Sequence, residues 1–111
     1  MHSPFMTEIH AHDGNLQSLI WATEAGYRKS NQAVALAAAK GHVECIEYML
    51  QHNYKIHHMA VFSAVHYNQL ECVKILLPLS NVSKSKYQVL KFFAQRNNNA
   101  EMLDYLVMNE R

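Results

Sequence analysis

Apolar residues recur along this chain at helical spacing. After Gly41 they stand at Val43, Ile46, Met49 and Leu50, and after Asn68 at Leu70, Val73, Leu76 and Leu77. The i, i+3, i+6, i+7 pattern puts each set on one face of an amphipathic helix. A second helical stretch precedes each of these. Residues 31–40 contain Ala33-Val-Ala-Leu-Ala-Ala-Ala39, a run with high helix propensity. Residues 59–67 and 86–96 hold the equivalent places, and Ser3-Pro4 suits the start of a first helix, with the hydroxyl as N-cap and proline in the first turn. The pattern predicts helix pairs.

The pairs repeat. Gly14-Asn-Leu-Gln-Ser-Leu-Ile-Trp21, Gly41-His-Val-Glu-Cys-Ile-Glu-Tyr48, Asn68-Gln-Leu-Glu-Cys-Val-Lys-Ile75 and Asn98-Asn-Ala-Glu-Met-Leu-Asp-Tyr105 are variants of one segment, spaced by 27, 27 and 30 residues. A unit recurring at this period makes a solenoid. Each copy opens on Gly or Asn, the residue types that most readily enter the left-handed conformation ending one helix before the next. A second reversal falls twelve positions later, at Gly26 and Asn53, with Ser80-Asn81 in the third copy. Pro78 should end or kink the third outer helix. Ala37, Ala64 and Ala94 stand four residues before a reversal, where a small side chain lets a neighbouring helix approach. His10 fills that slot in the first copy, so a looser end is expected there.

These residues resemble the ankyrin-repeat family over almost the whole chain. Its motif Ala-Ala-x-x-Gly-His-x-Glu-x-Val has a near copy in Ala37-Ala-Ala-Lys-Gly-His-Val-Glu-Cys-Ile46 and a looser one in Ala64-Val-His-Tyr-Asn-Gln-Leu-Glu-Cys-Val73. The fourth place recurs as Gln17, Glu44, Glu71 and Glu101. The resemblance implies an all-α fold of four ankyrin-like helix-turn-helix repeats stacked as a short solenoid. It implies one domain over 1–111, with repeats at about 3–28, 29–55, 56–83 and 84–111. Family repeats are about 33 residues long, so two intervals here are short. The missing segment would form the projecting β-turn finger; only Tyr54-Lys-Ile-His-His58 spans the second junction. Without fingers, the concave face of the inner helices and the short loops must hold a partner. Carried over by position, the family's contact pairs are His12 and Asp13, Ala39 and Lys40, His66 and Tyr67, and Arg96 and Asn97. Tyrosine and arginine are enriched at binding hot spots, which makes Tyr67 and Arg96 the expected anchors.

Charge and composition narrow the partner. Half the residues are apolar and the formal net charge is +1, which fits a globular chain and argues against a general nucleic-acid binder or a membrane-surface binder. No apolar run reaches the roughly 20 residues of a membrane span, and the first residues carry no signal-peptide pattern. Cys45 and Cys72 hold the same slot of adjacent copies. Packed helices lie about 8–10 Å apart and a disulfide needs less than about 7 Å between Cα atoms, so both are expected as reduced, buried thiols of a cytoplasmic protein.

Eight histidines raise metal binding or pH sensing as the alternative to a protein-binding module. No pair has the i, i+4 spacing of a helical zinc site, and neither a metal nor a cofactor is expected. No phosphate-binding loop or nucleophile elbow is present, and repeat positions account for His42 and Cys45, so no enzyme is expected. Tyr27, Tyr54 and Tyr87 fall at junctions, and Phe62 and Phe92 on inner helices; sealing of the stack is the expected role of the phenylalanines. Exposure of several would suit a partner protein or a homodimer that opens to bind something else. The expected function is that of a small regulator or inhibitor of a larger protein, or an adaptor. Small degenerate ankyrin proteins of this kind resemble effectors of intracellular bacteria, delivered into a host cell, some of which regulate another effector enzyme such as a ubiquitin-modifying one.

Overall fold

The computed structural model describes residues 5–110, so the Ser3-Pro4 helix start lies outside the described residues. Among the described residues, eight α-helices follow one another: α1 (Met6–Asp13), α2 (Leu16–Glu24), α3 (Ala33–Lys40), α4 (Val43–Gln51), α5 (Ala60–His66), α6 (Leu70–Leu76), α7 (Lys84–Arg96) and α8 (Ala100–Asn109). A 3-10 turn, Leu77–Leu79, extends α6. The described residues contain no strand, and the fold is an all-helical ankyrin-like solenoid.

The reversals set the pairing. Gly14, Gly41, Asn68 and Asn98 have φ of 71°, 78°, 65° and 54°. Each is closed by the same two bonds. The reversal N–H reaches the carbonyl three residues back, and the next N–H reaches five back: Asn15 to His10, His42 to Ala37, Gln69 to Ala64 and Asn99 to Ala94, at 3.0, 3.0, 2.7 and 3.2 Å. This is the Schellman closure, which satisfies carbonyls left open at a helix end. Gly26 and Asn53 also have positive φ, 87° and 67°. Ser80-Asn81 does not act as the third such reversal: Ser80 is extended, with φ −110° and ψ 141°. Pro78 has no N–H to carry α6 onward, so the helix tightens into the 3-10 turn and leaves extended. The Ser80 hydroxyl then donates to the Leu76 carbonyl at 2.8 Å.

The odd-numbered helices form one row and the even-numbered helices another, within 44 × 22 × 19 Å. Leu19, Ile46, Met49, Val73, Leu76, Leu90, Met102 and Leu106 fill the space between rows and are fully buried. Ala37, Ala64 and Ala94 are fully buried as well, in the slots where neighbouring inner helices meet. A polar ladder runs beside this core. His42 Nε2 meets the His12 carbonyl at 3.1 Å, Gln69 Nε2 donates to Ala39 O at 3.3 Å, and Asn99 Nδ2 donates to Asn68 Oδ1. The side chain of Asn15, in the first copy, caps its own helix instead, accepting from Ser18 N at 3.1 Å.

The first copy is not the loosely held end. Thr7, fully buried, donates to the Arg28 carbonyl at 2.7 Å, and Ser30 Oγ donates to Glu8 Oε1. These bonds, with the Ala11 methyl in the core, offset the large side chain at His10. The thinner contact lies between the third and fourth copies, where α5 and α7 meet less closely than α3 and α5 do. Beyond it the chain end is fastened by Lys91 Nζ to Glu110 Oε1 at 2.6 Å and by Tyr87 OH donating to Asn109 O at 3.1 Å.

Two glycines separate backbone strain from crowding. A Cβ at Gly26 would meet nothing within 4 Å, whereas one at Gly41 would lie 2.5 Å from Gln69 Oε1. Gly26→Ala is expected to cost about 1–2 kcal/mol for the left-handed backbone alone. Gly41→Ala adds about 1 kcal/mol by displacing Gln69 from the Ala39 carbonyl. Urea unfolding of both variants measures the difference; equal losses would show that the ladder contributes nothing.

Candidate interaction face

Parallel stacking of the inner helices brings equivalent residues into rows. His12 and Asp13 close α1, Lys40 closes α3, His66 and Tyr67 stand at the end of α5, and Arg96 and Asn97 at the end of α7. All seven are exposed and lie along one edge of the inner row. Their engagements differ. His12 Nδ1 is 3.2 Å from Asp13 Oδ1. Asn97 Nδ2 donates to the carbonyls of Val65 and His66, both at 3.1 Å, so this residue stitches α7 to α5. Lys40 and Arg96 extend into solvent.

An aromatic group spans the third and fourth copies. The His66 ring stands edge-on to Tyr67 at 4.7 Å and to Phe93 at 5.3 Å, and Phe93 meets Phe92 at 6.1 Å. Tyr67 is 57% and Phe92 58% exposed. Phe92 therefore does not seal the stack, whereas half-buried Phe62 packs against the core. The reason is rotational: α7 turns Leu90 and Ala94 into the core, which leaves Val89, Phe92 and Arg96 on the opposite side. Met59 and Val89 are also exposed on the inner side. Between α3 and α5, Gln32, Ala35, Ala39, Met59, Ser63 and Tyr67 line a shallow hollow whose floor is low because Ala35 and Ala39 are small. Residue type alone hid Val89 and Met59 as candidates and pointed Phe92 to sealing. Their signal was register, since Met59 and Val89 occupy one place relative to the reversal, and Phe62 and Phe92 another.

The junction tyrosines behave differently. Tyr54 is buried, with its hydroxyl 2.6 Å from Thr23 Oγ1, and burial raises its pKa despite that bond. Tyr87 is buried, and Tyr27 packs beside Trp21 at 5.4 Å. Tyr54 thus joins the first two copies, while Tyr27 meets Trp21 and Tyr87 meets Asn109 inside their own copies.

The described histidines do not converge. The His57 and His58 rings lie tilted against each other at 4.2 Å, while the His57 Nδ1 accepts from Met59 N. His52 lies over Tyr48 at 4.0 Å and binds its carbonyl. Among the described residues, no group of three or more His, Cys, Asp or Glu is placed to hold a metal.

Cys45 and Cys72 are free, buried thiols. Burial, and then the charge of Glu71, pushes Cys72 up to about 11; burial, and then Glu44, raises Cys45. A thiol held protonated is a poor nucleophile. Both are expected to resist a thiol reagent at neutral pH until the chain unfolds, and reaction of the folded protein at the rate of free cysteine would contradict this. The raised values also favour the folded state below the ordinary thiol range and not above it. Stability should therefore fall as pH rises from about 9 toward about 11.

No helix among the described residues is long and apolar enough to cross a membrane. No curated protein matches the sequence significantly. A family model of ankyrin repeats in three copies does match, over residues 7–85 and again over 34–111. Ankyrin repeats are generally protein–protein interaction modules. With the reversals in register, the two rows of helices and a match over nearly its whole length, the chain belongs to the ankyrin-repeat family.

Proposed function

We propose that this chain is a non-catalytic binding module that grips another protein with its inner-helix face and acts as a small regulator or inhibitor of it. The carrying observation is the exposed aromatic group of Tyr67, His66 and Phe92, beside Arg96 and along one side of the stack. Aromatic and arginine side chains that lose water on contact dominate binding energy, and solenoids bind through such extended faces. His12, Asp13, Lys40 and Asn97 complete the edge of the proposed contact. Free Cys45 and Cys72 fit a compartment that keeps thiols reduced.

The test is affinity capture with the intact protein beside a Tyr67→Ala/Arg96→Ala variant. One stoichiometric partner, lost in the variant while helical content persists, is the expected result. A partner retained by the variant would remove the inner face from the account. Assay of the partner's own activity, with and without the chain, separates inhibitor from adaptor.

A further inference from the structure

Acids are absent from three of the four inner helices, α3, α5 and α7, while the first inner helix, α1, carries Glu8 and Asp13. Between Ala25 and Val43, and again from Tyr48 to Leu70 and from Cys72 to Ala100, there is no Asp or Glu. Those stretches contain the inner helices α3, α5 and α7 and the loops that lead into them. They hold Arg28, Lys29, Lys40, Lys55, Lys84, Lys86, Lys91 and Arg96, with Lys74 on α6 as the exception outside the inner row. The outer helices carry Glu24, Glu44, Glu47, Glu71, Glu101 and Asp104. Lys91 is held by Glu110, and the other seven inner-row cations are exposed.

Their placement frames the apolar strip. Arg28 and Lys29 precede α3, Lys55 precedes α5, and Lys84 and Lys86 lie in the first turn of α7, so these five mark one edge. Lys40 and Arg96 end their helices and mark the other. Between the edges stand Met59, Phe62, Val89 and Phe92. Helices packed about 8–10 Å apart make the strip across α3, α5 and α7 about 20 Å long, enough for roughly six extended residues.

We infer that the inner face takes an acidic peptide segment of its partner, one whose carboxylates alternate or cluster with aliphatic or aromatic side chains. This rests on the inner-face binding proposed above and adds the chemistry of the occupant. Apolar side chains of the segment fill the strip, and its carboxylates meet a basic residue on either edge. A cationic border along α3, α5 and α7, with acids only at the α1 end in Glu8 and Asp13, raises the encounter rate for an anionic partner and rejects cationic ones. A single-stranded nucleic acid fits less well, because the aliphatic Met59 and Val89 offer no ring on which bases stack. A second copy of the chain fits less well too. Its α4 exposes Glu44, Glu47 and Gln51 with no apolar filling, and the acids it exposes beside apolar side chains, Glu101 and Asp104 with Val107 and Met108, are held in helix α8 and do not lie extended in the strip.

The test selects peptides from a phage-displayed random library on the immobilised intact protein, then measures each labelled peptide by fluorescence anisotropy. The expected winners combine Asp or Glu with Leu, Ile, Phe or Trp. Their Kd should rise about tenfold or more between about 0.05 and about 0.5 M NaCl. Lys29→Glu/Lys55→Glu/Lys86→Glu should weaken them by at least about tenfold with unchanged circular dichroism, while Glu44→Lys/Glu47→Lys on the outer row changes Kd by less than about twofold. Neutral or basic winners that still depend on Tyr67 and Arg96 would overturn the acidic assignment and leave the inner face standing. Acidic winners indifferent to both the Lys29/Lys55/Lys86 and the Tyr67/Arg96 variants would overturn the face itself. A labelled oligo-dT binding as tightly as the best peptide, salt-sensitive self-association in sedimentation velocity, or no selected sequence at all would each overturn the peptide assignment.

Discussion

Ile46→Ala should lower stability by about 2–5 kcal/mol, the usual loss when a fully buried Ile or Leu is cut back to alanine. Ile46 is wholly buried on α4, which packs on α3 within its own copy and on α2 and α6 in the neighbouring ones. Small domains are stable by only about 5–15 kcal/mol in total, so the variant sits near its limit. The position matters as much as the size of the loss. In a solenoid each copy contacts only its neighbours, and a weakened second copy breaks the link between the first and the rest. Trp21, the single tryptophan, lies on α2 in the first copy and reports that end alone, whereas helical ellipticity reports every copy. Urea unfolding of the variant should show the two signals separating. Val107→Ala, at a site 53% exposed, is the control and should stay within about 0.5 kcal/mol of the parent. Equal losses at the two sites would contradict the core described above.

Tyr67→Ala with Arg96→Ala should weaken partner binding by about 2 kcal/mol or more, roughly thirtyfold, if both act as anchors. Neither residue belongs to the buried core, so folding should change by no more than about 0.5 kcal/mol. That contrast between binding and stability marks an interface residue. Asn97 supplies the opposite case, because its side chain holds two carbonyls of the preceding copy. Truncating Asn97 should disturb the joint between α5 and α7 along with any contact it makes. Titration calorimetry with the captured partner, paired with thermal melts of each variant, measures both effects. A double variant that melts early but binds normally would reassign Tyr67 and Arg96 to the scaffold.

Local chemistry made most of the fold legible. Only a few residue types tolerate positive φ, so Gly14, Gly41, Asn68 and Asn98 announce the reversals, and all four have that backbone. Ala37, Ala64 and Ala94 announce the close packing, and all are fully buried. Ser80-Asn81 misled because the residue types suit a left-handed turn, whereas Pro78 two residues earlier controls the path. Phe92 misled in the same way. A large aromatic suggests burial, but the rotation of α7 is set by Leu90 and Ala94, and they place Phe92 in solvent. The charge pattern was hidden by averaging. A net charge of +1 describes a nearly neutral chain, yet α3, α5 and α7 hold bases and no acid, while α2, α4 and α8 hold acids and no base. Side-chain engagement, such as that of Asn97, depends on atoms from neighbouring copies and is not written in the local sequence.

The central claim is that the inner row of helices is the binding face. Backbone amide shifts of the isotope-labelled protein, recorded with and without its partner segment, test it most directly. The account predicts perturbations on α3, α5 and α7 around Lys40, Tyr67, Phe92 and Arg96, with α4 and α6 near Glu44, Glu47 and Glu71 unchanged. Perturbations confined to the outer helices, with the inner row silent, would contradict it.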